Sequence, residues 1–264
     1  MRMTNFIYLI GPAGCGKSTL TSVLFDALKS YEINSLVVNL DPGAEWLPYT
    51  PEIDIRVHVS LSEVMREFKL GPNGALVVAV DLVVNHIPHL KELINASRPD
   101  YVIVDTPGQM ELFAFRETGP TVMNSLNPGG SSLVLFLIDS FFARRASSFI
   151  SMLMLATSVL TRFRSPQINV LTKVDTLDPE RIERAINWAS RRDVLLEDVA
   201  QEPNPLSRET AMNLLHAVEK VGFVGELIPV SALDFKGVVE LISAIENVFA
   251  TEGELDLGKD LEGD

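Results

Sequence analysis

Residues 11–18 have the types and spacing that bind phosphate. They match G-x-x-x-x-G-K-S and lie between an apolar run and a segment with helical spacing of its apolar residues. Glycines let backbone N–H groups turn towards phosphate oxygens, and the N-terminus of a following helix adds a partial positive charge. Lys17 is predicted to reach the β- and γ-phosphates, and the Ser18 hydroxyl to ligate Mg²⁺. We therefore expect a nucleoside triphosphate to contact Gly14, Cys15, Gly16, Lys17, Ser18 and Thr19.

A second group of residues suited to phosphate chemistry follows the apolar run 101–105. Asp105 ends this run, and Thr-Pro-Gly-Gln follows it. A carboxylate at the carboxyl end of a parallel strand lies beside the phosphate loop, where it supports Mg²⁺. The Gly108 N–H can approach a γ-phosphate closely because no Cβ obstructs it, and Gln109 is placed to position an attacking water. The competing interpretation is an ordinary strand-to-turn exit, which often carries Asp and Gly.

Asp41 follows another apolar run, 35–40, and precedes Pro-Gly. It is a candidate to orient the attacking water or to support Mg²⁺ from a second side. A turn-forming Asp-Pro-Gly is the alternative, and spacing alone does not decide between them.

Two later strand ends carry residues suited to reading a guanine base. Thr172, Lys173 and Asp175 follow an apolar run, and a carboxylate accepts hydrogen bonds only, so Asp175 pairs with the N1–H and 2-amino donors of guanine. The Lys173 stem can lie along the base. Ser231 and Ala232 follow the last apolar run, where a backbone N–H is placed to donate to guanine O6. Together these elements favour guanine over adenine.

Short apolar runs alternate with helical patterns along the chain, which predicts an α/β fold with a mainly parallel sheet. Nearly unbroken apolar strands indicate helices on both faces of that sheet, and therefore three layers. The predicted strands are 6–10, 35–40, 101–105, 133–138, 168–171 and 227–230. The predicted helices are 18–29, 61–68, a second one after Gly74 towards Ser97, 149–162, 179–190 and 209–221.

This organisation predicts a single domain over 1–250 with helical insertions at about 50–98 and 140–225. The second insertion is interpreted as a helical layer because the predicted strand 168–171 lies inside it. The segment 251–264 is acidic and lacks aromatic residues, which predicts a disordered tail.

Composition and charge argue against nucleic acid and membranes as partners of the chain. The 264 residues carry a net charge of −13, and the tail, with six acids and one lysine, contributes −5 of it and leaves −8 on the body. An acidic body lacks the basic footprint that nucleic-acid binding needs, so no direct nucleic-acid contact is expected. The lone cysteine fits a reducing compartment. We find no uninterrupted apolar run of 18 residues, so we expect no membrane span and a cytoplasmic protein.

The ordered set of residues 11–18, 41, 105–109, 172–175 and 231–232 resembles the five recognition elements of P-loop GTPases. The resemblance implies a P-loop NTPase fold, GTP and GDP as ligands, and Mg²⁺ as cofactor. The fourth element departs from the usual Asn-Lys-x-Asp, because Thr172 stands first. This removes an amide that normally braces the phosphate loop, for which the threonine hydroxyl is a partial substitute.

Gly71, Pro72 and Asn73 lie between the second and third of these elements. A Gly-Pro-Asn insertion at this place is similar to that of the GPN-loop GTPases, and the chain resembles an archaeal-type member. The resemblance implies a homodimer in which the Gly-Pro-Asn loop reaches the partner's phosphates. It also implies a protein client such as RNA polymerase subunits. Taken alone, Gly-Pro-Asn-Gly is an ordinary turn.

The leading hypothesis is a Mg²⁺-dependent GTP hydrolase that works as a dimeric switch. The alternative is a P-loop kinase that transfers phosphate to a small molecule or to a polynucleotide end. A third interpretation is an assembly factor whose partner binding is gated by nucleotide, with slow hydrolysis as a timer.

Four further residues are weaker candidates. His86 and His89 form an H-x-x-H pair, but no third ligand accompanies them, so we expect no zinc site. Arg56 and Arg116 flank the two predicted switch segments, and either is a candidate to stabilise transition-state charge. A solvated arginine is the alternative.

Overall fold

The computed structural model describes residues 4–128, 130–221 and 226–261, and in these it contains one seven-stranded sheet. The strands are β1 (Asn5–Ile10), β2 (Ser35–Asn39), β3 (Ile53–Asp54), β4 (Tyr101–Asp105), β5 (Ser132–Asp139), β6 (Gln167–Thr172) and β7 (Leu227–Pro229). Their order across the sheet is β3-β2-β4-β1-β5-β6-β7, and every pair is parallel.

Helices connect the strands and cover both faces of the sheet. They are α1 (Lys17–Ser30), α2 (Leu61–Phe68), α3 (Pro72–Leu82), α4 (Ile87–Ser97), α5 (Met110–Ala114), α6 (Thr118–Leu126), α7 (Ala146–Phe163), α8 (Pro179–Ser190), α9 (Arg192–Ala200), α10 (Pro205–Val221) and α11 (Val238–Leu261). Short 3₁₀ turns lie at Ile55–Val57, Val83–His86, Ser140–Arg144 and Val174–Thr176.

The two faces of the sheet have separate cores because side chains alternate along a strand. Ile7 and Leu9 of β1 pack in one core with apolar residues of α1 and α11. Phe6, Tyr8 and Ile10 point to the other core, which contains apolar residues of the helices α2–α10. The predicted three-layer α/β fold is confirmed.

The strand register brings the functional strand ends to one edge. Asp105 of β4 is paired with Leu9 of β1 on one side and with Asn39 of β2 on the other. Just beyond β2, the Leu40 N–H donates to the Asp105 carbonyl oxygen at 2.9 Å. The segments that follow these three strands therefore leave the sheet side by side.

The first helical insertion begins as predicted and then divides. α2 covers the predicted 61–68, and the second predicted helix is α3, a 3₁₀ turn and α4. Pro72 and Pro88 lie in the first turns of α3 and α4, where a missing N–H removes no helical hydrogen bond.

Elsewhere the elements extend beyond the sequence prediction. The two-residue strand β3 and the helices α5, α6, α9 and α11 were not predicted, and α10 begins four residues before the predicted Glu209. α11 continues as helix to Leu261, whereas composition predicts a disordered tail from Thr251. Residues 262–264 lie outside the described part, and the disorder of the tail stays a prediction.

Two helical stretches, 72–97 and 146–163, are long and apolar enough to cross a membrane by length and composition. α7, the second of them, buries Phe149, Ile150 and Leu153 in the protein core. In the first stretch, 33% of the apolar window is buried. Its large apolar side chains are buried or partly buried apart from Leu93, which is 38% exposed.

Candidate functional site

The phosphate loop joins β1 to α1 through two residues in the left-handed region. Gly16 caps α1 with a φ of 95°, and Gly14 has a φ of 76°. Residues with a side chain rarely adopt these values, so the sequence needs glycine here. Such turns direct consecutive N–H groups into a phosphate-binding concavity, as the pattern of 11–18 predicts.

Lys17 is the first residue of α1, and its side chain is buried. Its ammonium donates to the carbonyl oxygens of Gly11 (2.7 Å), Pro12 (3.1 Å) and Gly108 (2.9 Å). A buried cation needs such partners because desolvation disfavours it. The bond to Gly108 joins the phosphate loop to the segment after β4.

Asp105, at the end of β4, is a buried carboxylate whose two oxygens differ in their hydrogen bonding. Burial raises its pKa to about 6, while contacts with Ser18, Tyr49 and Lys17 act in the opposite direction. The Tyr49 hydroxyl donates to Oδ2 at 2.7 Å, and Oδ1 has no hydrogen-bond partner among the described residues. A cation near Oδ1 would favour the ionised form.

The open oxygen of Asp105 and the neighbouring Ser18 hydroxyl fit a magnesium site. Mg²⁺ prefers oxygen ligands and is usually held by one or two protein groups, with waters and phosphate oxygens completing the shell. No group of three or more His, Cys, Asp or Glu in the described ranges is arranged to hold a metal ion unaided. A site completed by nucleotide phosphates agrees with both observations.

Asp41 links the segment after β2 to the segment after β4. Its Oδ2 accepts the Gly108 N–H at 2.8 Å, and its Oδ1 accepts the Gly43 N–H at 2.8 Å. The N–H that we predicted to approach a γ-phosphate is therefore bonded to a carboxylate. A phosphate oxygen is also an anionic acceptor, so γ-phosphate binding at Gly108 would replace the Asp41 contact.

Apart from Ser231, the predicted base-reading residues line one cavity of about 290 Å³. Asp175 lies in the 3₁₀ turn after β6, and its Oδ1 accepts the Ser231 hydroxyl at 2.8 Å. Lys173 donates to the Gly14 carbonyl oxygen at 2.6 Å, so its stem crosses from this cavity to the phosphate loop. The other lining residues are Gly16, Thr19, Leu20, Thr172, Thr176, Val230, Ala232 and Leu233. The cavity volume is near the lower end for small-molecule pockets, about 300 Å³.

Thr172 braces the phosphate loop from β6. Its hydroxyl donates to the Cys15 carbonyl oxygen at 2.7 Å and lies 3.3 Å from the Ile138 carbonyl oxygen. The hydroxyl thus makes the connection that the usual asparagine amide would make in the resembling family.

Replacing Thr172 by valine is expected to lower the free energy of unfolding by about 1–2 kcal/mol, because a buried carbonyl oxygen loses its donor at unchanged side-chain volume. Nucleotide affinity should fall in parallel, since the loop loses a brace. Thr172→Ser keeps the hydroxyl and is the matched control. Denaturant unfolding and nucleotide titration measure both effects, and a Thr172→Val protein as stable as the unaltered protein would contradict the brace.

Cys15 is buried within the loop. Burial is the largest cause that raises the pKa of its thiol, so the thiol stays protonated at neutral pH. This favours a small packing residue over a redox centre.

Gly71, Pro72 and Asn73 begin a helix. Gly71 caps α3, Pro72 is in its first turn, and the Asn73 side chain is exposed beside it. One turn later, Leu76 lies against Gly43, where an added Cβ would come within 2.7 Å of Leu76 Cδ1. The start of α3 therefore packs on the segment that holds Asp41.

Both candidate arginines form ion pairs. Arg56 pairs with Asp54 and donates to the Ala44 carbonyl oxygen at 2.9 Å, which fixes the segment after Asp41. Arg116 pairs with Asp81 of α3. Either would have to leave its partner to reach a phosphate, and a transition-state role stays a prediction.

The histidine pair gains a neighbour that sequence spacing did not reveal. The His58 ring centroid lies 5.1 Å from that of His86 and 5.0 Å from that of His89. Burial, and then the charges of the other two histidines, lower the pKa of His86, which favours its neutral form. The three are not among any metal-binding group in the described ranges.

Two residues of the site escaped the sequence prediction. Asp139 ends β5 and forms an ion pair with Lys173 at 2.7 Å. Its place directly after a buried strand is the signal that identified Asp105. Tyr49 has no such signal, because it lies between β2 and β3, beyond the Asp41-Pro-Gly turn and outside any apolar run.

A wider cleft of about 520 Å³ lies on the helical layer, at α8, α9 and the segment before α7. Four arginines and four acids line it, so its charges balance, and none of the phosphate-binding residues takes part. The phosphate loop and the cavity at Asp175 therefore stay the predicted nucleotide site.

Known proteins resemble this chain over most of its length. A family described as "Conserved hypothetical ATP binding protein" matches residues 9–251. GPN-loop GTPase 3 of Kluyveromyces lactis is 32% identical over 246 residues, which cover 92% of this chain and 90% of that protein. GPN-loop GTPase 1 of Dictyostelium discoideum is 30% identical, over 90% of this chain and 60% of that longer protein.

Among solved structures, a GTPase from Pyrococcus abyssi has the same fold. It superposes with a TM-score of 0.79 at 30% sequence identity, over 93% of this chain and 98% of that one. The family description names ATP, whereas these relatives are named as GTPases. The Asp175 carboxylate in the cavity agrees with the latter, because it suits the donors of guanine.

Proposed function

The chain belongs to the GPN-loop GTPases and hydrolyses GTP, and we propose that it works as a Mg²⁺-dependent homodimeric switch. The observation that carries the proposal is a continuous path of contacts. Lys17 is bonded to Gly108, Gly108 to Asp41, and Asp41 to Gly43, against which α3 packs. A γ-phosphate that replaced one of these bonds would act on all of the connected segments.

Ser18 and Asp105, with Asp41 as a further candidate, would hold the magnesium. When bound, Mg²⁺ neutralises charge that develops on the β- and γ-phosphate oxygens. The buried, unpartnered Oδ1 of Asp105 supports this assignment.

We assign the hydrolytic step to residues around the γ-phosphate position. The Lys17 ammonium stabilises negative charge on the β- and γ-phosphates. Gln109, exposed at the start of α5, orients the attacking water, and Asp41 supports that water or the metal. Because the relatives are named as GTPases, we prefer hydrolysis to the kinase alternative.

The dimer is proposed from the surface around the Gly-Pro-Asn loop. Asn73 is exposed, and the apolar stretch 72–97 that begins beside it is only partly buried. A second copy would cover this surface and place Asn73 near the partner's phosphates, in a closed two-fold dimer.

Mixed dimers test whether Asn73 acts across the interface. Lys17→Ala and Asn73→Ala are each expected to be inactive as homodimers. In a mixed dimer the Asn73→Ala protomer keeps Lys17 and receives an intact Asn73 from its partner, so one of two sites works. Random mixing makes about half of the dimers mixed, and GTP hydrolysis should recover to roughly a quarter of the unaltered level under two-fold symmetry.

The matched control mixes Lys17→Ala with Gln109→Ala. Both residues serve their own protomer's site, so both sites of that mixed dimer stay broken. If the Asn73→Ala mixture also stays inactive while subunit exchange is confirmed, Asn73 does not act in trans.

We further propose that the switch acts in the cytoplasm on a protein client, such as RNA polymerase subunits, which the family resemblance alone suggests. Nucleotide-dependent affinity for that client is the expected output. Client binding that is equal with GTP, GDP and no nucleotide would contradict it.

A further inference from the structure

Tyr49 is joined to the predicted metal site by a single hydrogen bond. Its hydroxyl donates to Asp105 Oδ2 at 2.7 Å, across 56 residues of sequence. The other oxygen, Oδ1, is buried and has no hydrogen-bond partner among the described residues. The two oxygens of this carboxylate are therefore in different environments.

The position of Tyr49 is well determined by its surroundings. Its half-buried ring packs against the core shared by α1 and α11. The preceding Pro48 carbonyl oxygen accepts the Ser22 hydroxyl of α1 at 3.3 Å, and Glu52 exchanges hydrogen bonds with Val37 of β2. Because these contacts hold the segment on both sides, the hydroxyl approaches Asp105 from a fixed direction.

We propose that Tyr49 is a positioning residue for Mg²⁺: its hydroxyl holds one oxygen of Asp105 and so keeps the other oriented for the metal shell. A carboxylate without this bond can rotate about its side-chain torsion, and its Oδ2 is left without a donor. Partners of this kind, one step removed from the metal, typically change metal affinity about 10- to 100-fold when they are lost. The inference rests on the Mg²⁺-dependent hydrolysis proposed above.

Tyr49→Phe isolates the hydroxyl, since the ring and its packing remain. The full-length protein is titrated with a fluorescent GDP analogue, first in excess chelator and then over a series of Mg²⁺ concentrations. In chelator, affinity should match the unaltered protein within about twofold, which also reports a folded site. In Tyr49→Phe, the Mg²⁺ concentration that produces half of the metal's effect on nucleotide affinity should rise about tenfold or more.

Two further variants separate positioning from general structural effects. Tyr31→Phe removes an exposed hydroxyl from the end of α1 and should leave the Mg²⁺ titration unchanged. In an Asp105→Asn background, Tyr49→Phe should produce no further change, because both substitutions interrupt the same interaction.

The outcomes distinguish this inference from the function on which it rests. If Mg²⁺ alters nucleotide affinity in the unaltered protein but Tyr49→Phe has the same half-effect concentration, Tyr49 is not a positioning residue and the proposed function stands. If Mg²⁺ has no effect on the unaltered protein, the metal role is wrong, and so is this inference. If Tyr49→Phe lowers nucleotide affinity equally with and without Mg²⁺, the Tyr49 side chain serves packing, and the proposal is overturned.

Discussion

Lys17→Ala is expected to lower the rate of GTP hydrolysis by about 100- to 1,000-fold, the range seen when a preorganised group that stabilises transition-state charge is removed. The ammonium lies at the start of α1, within hydrogen-bond distance of both the phosphate loop and the segment after β4. Its removal takes a cation from the β/γ-phosphate position and the bond that holds Gly108. Single-turnover hydrolysis at saturating GTP measures the chemical step apart from binding.

Lys29→Ala is the matched control, because this exposed lysine lies near the other end of the same helix. It removes the same charge from the chain and should leave the rate unchanged. Circular dichroism checks that Lys17→Ala is folded. A folded Lys17→Ala protein that hydrolyses GTP at the unaltered rate would contradict the assigned role.

The sheet and its functional edge could be predicted because the relevant signals are local. Each predicted apolar run of four to six residues became a strand, and the polar residue that ends such a strand, as at Asp105 or Thr172, lies at the carboxyl edge of the sheet. Parallel pairing then places Leu9, Asn39 and Asp105 in register without further information. Motif order along the chain was therefore enough to predict which segments leave the sheet side by side.

Contacts between distant segments could not be predicted. Tyr49 and His58 have no periodicity or motif around them, and their partners Asp105 and His86 lie 56 and 28 residues away. Only the folded chain shows that Arg116 is held by Asp81, 35 residues away, because an exposed arginine and an ion-paired one have the same sequence signature. Such pairs depend on tertiary packing, which propensities do not encode.

The helix α9 in the second insertion was not predicted, for a related reason. α9 has polar and apolar residues in nearly even distribution, so its sequence carries little amphipathic signal. It forms because Val194, Leu195 and Val199 are buried beside α7, α8 and α10. Here packing, and not periodicity, decides the structure.

Asp175→Asn is expected to weaken GTP binding by about 100-fold or more and to shift preference to xanthosine triphosphate, whose base has a carbonyl in place of the 2-amino group. The carboxylate accepts hydrogen bonds only, and the Ser231 hydroxyl engages one of its oxygens, which leaves the other to receive the donors of guanine. The asparagine amide adds a donor that opposes the 2-amino group but pairs with a carbonyl. Competition between GTP, ATP and xanthosine triphosphate measures the shift directly.

Asp178→Asn supplies the control, because it removes the same charge from an exposed residue three positions along the chain. It should leave base preference unchanged. The same competition also decides between the ATP of the family description and the GTP of the relatives' names. A site built to accept hydrogen bonds from a base discriminates by about 10⁴-fold or more against a base that leaves the acceptor unpaired. Adenine presents an acceptor at N1 and no 2-amino group, so it leaves Asp175 unpaired, and equal affinity of the unaltered protein for GTP and ATP would show that Asp175 does not read the base.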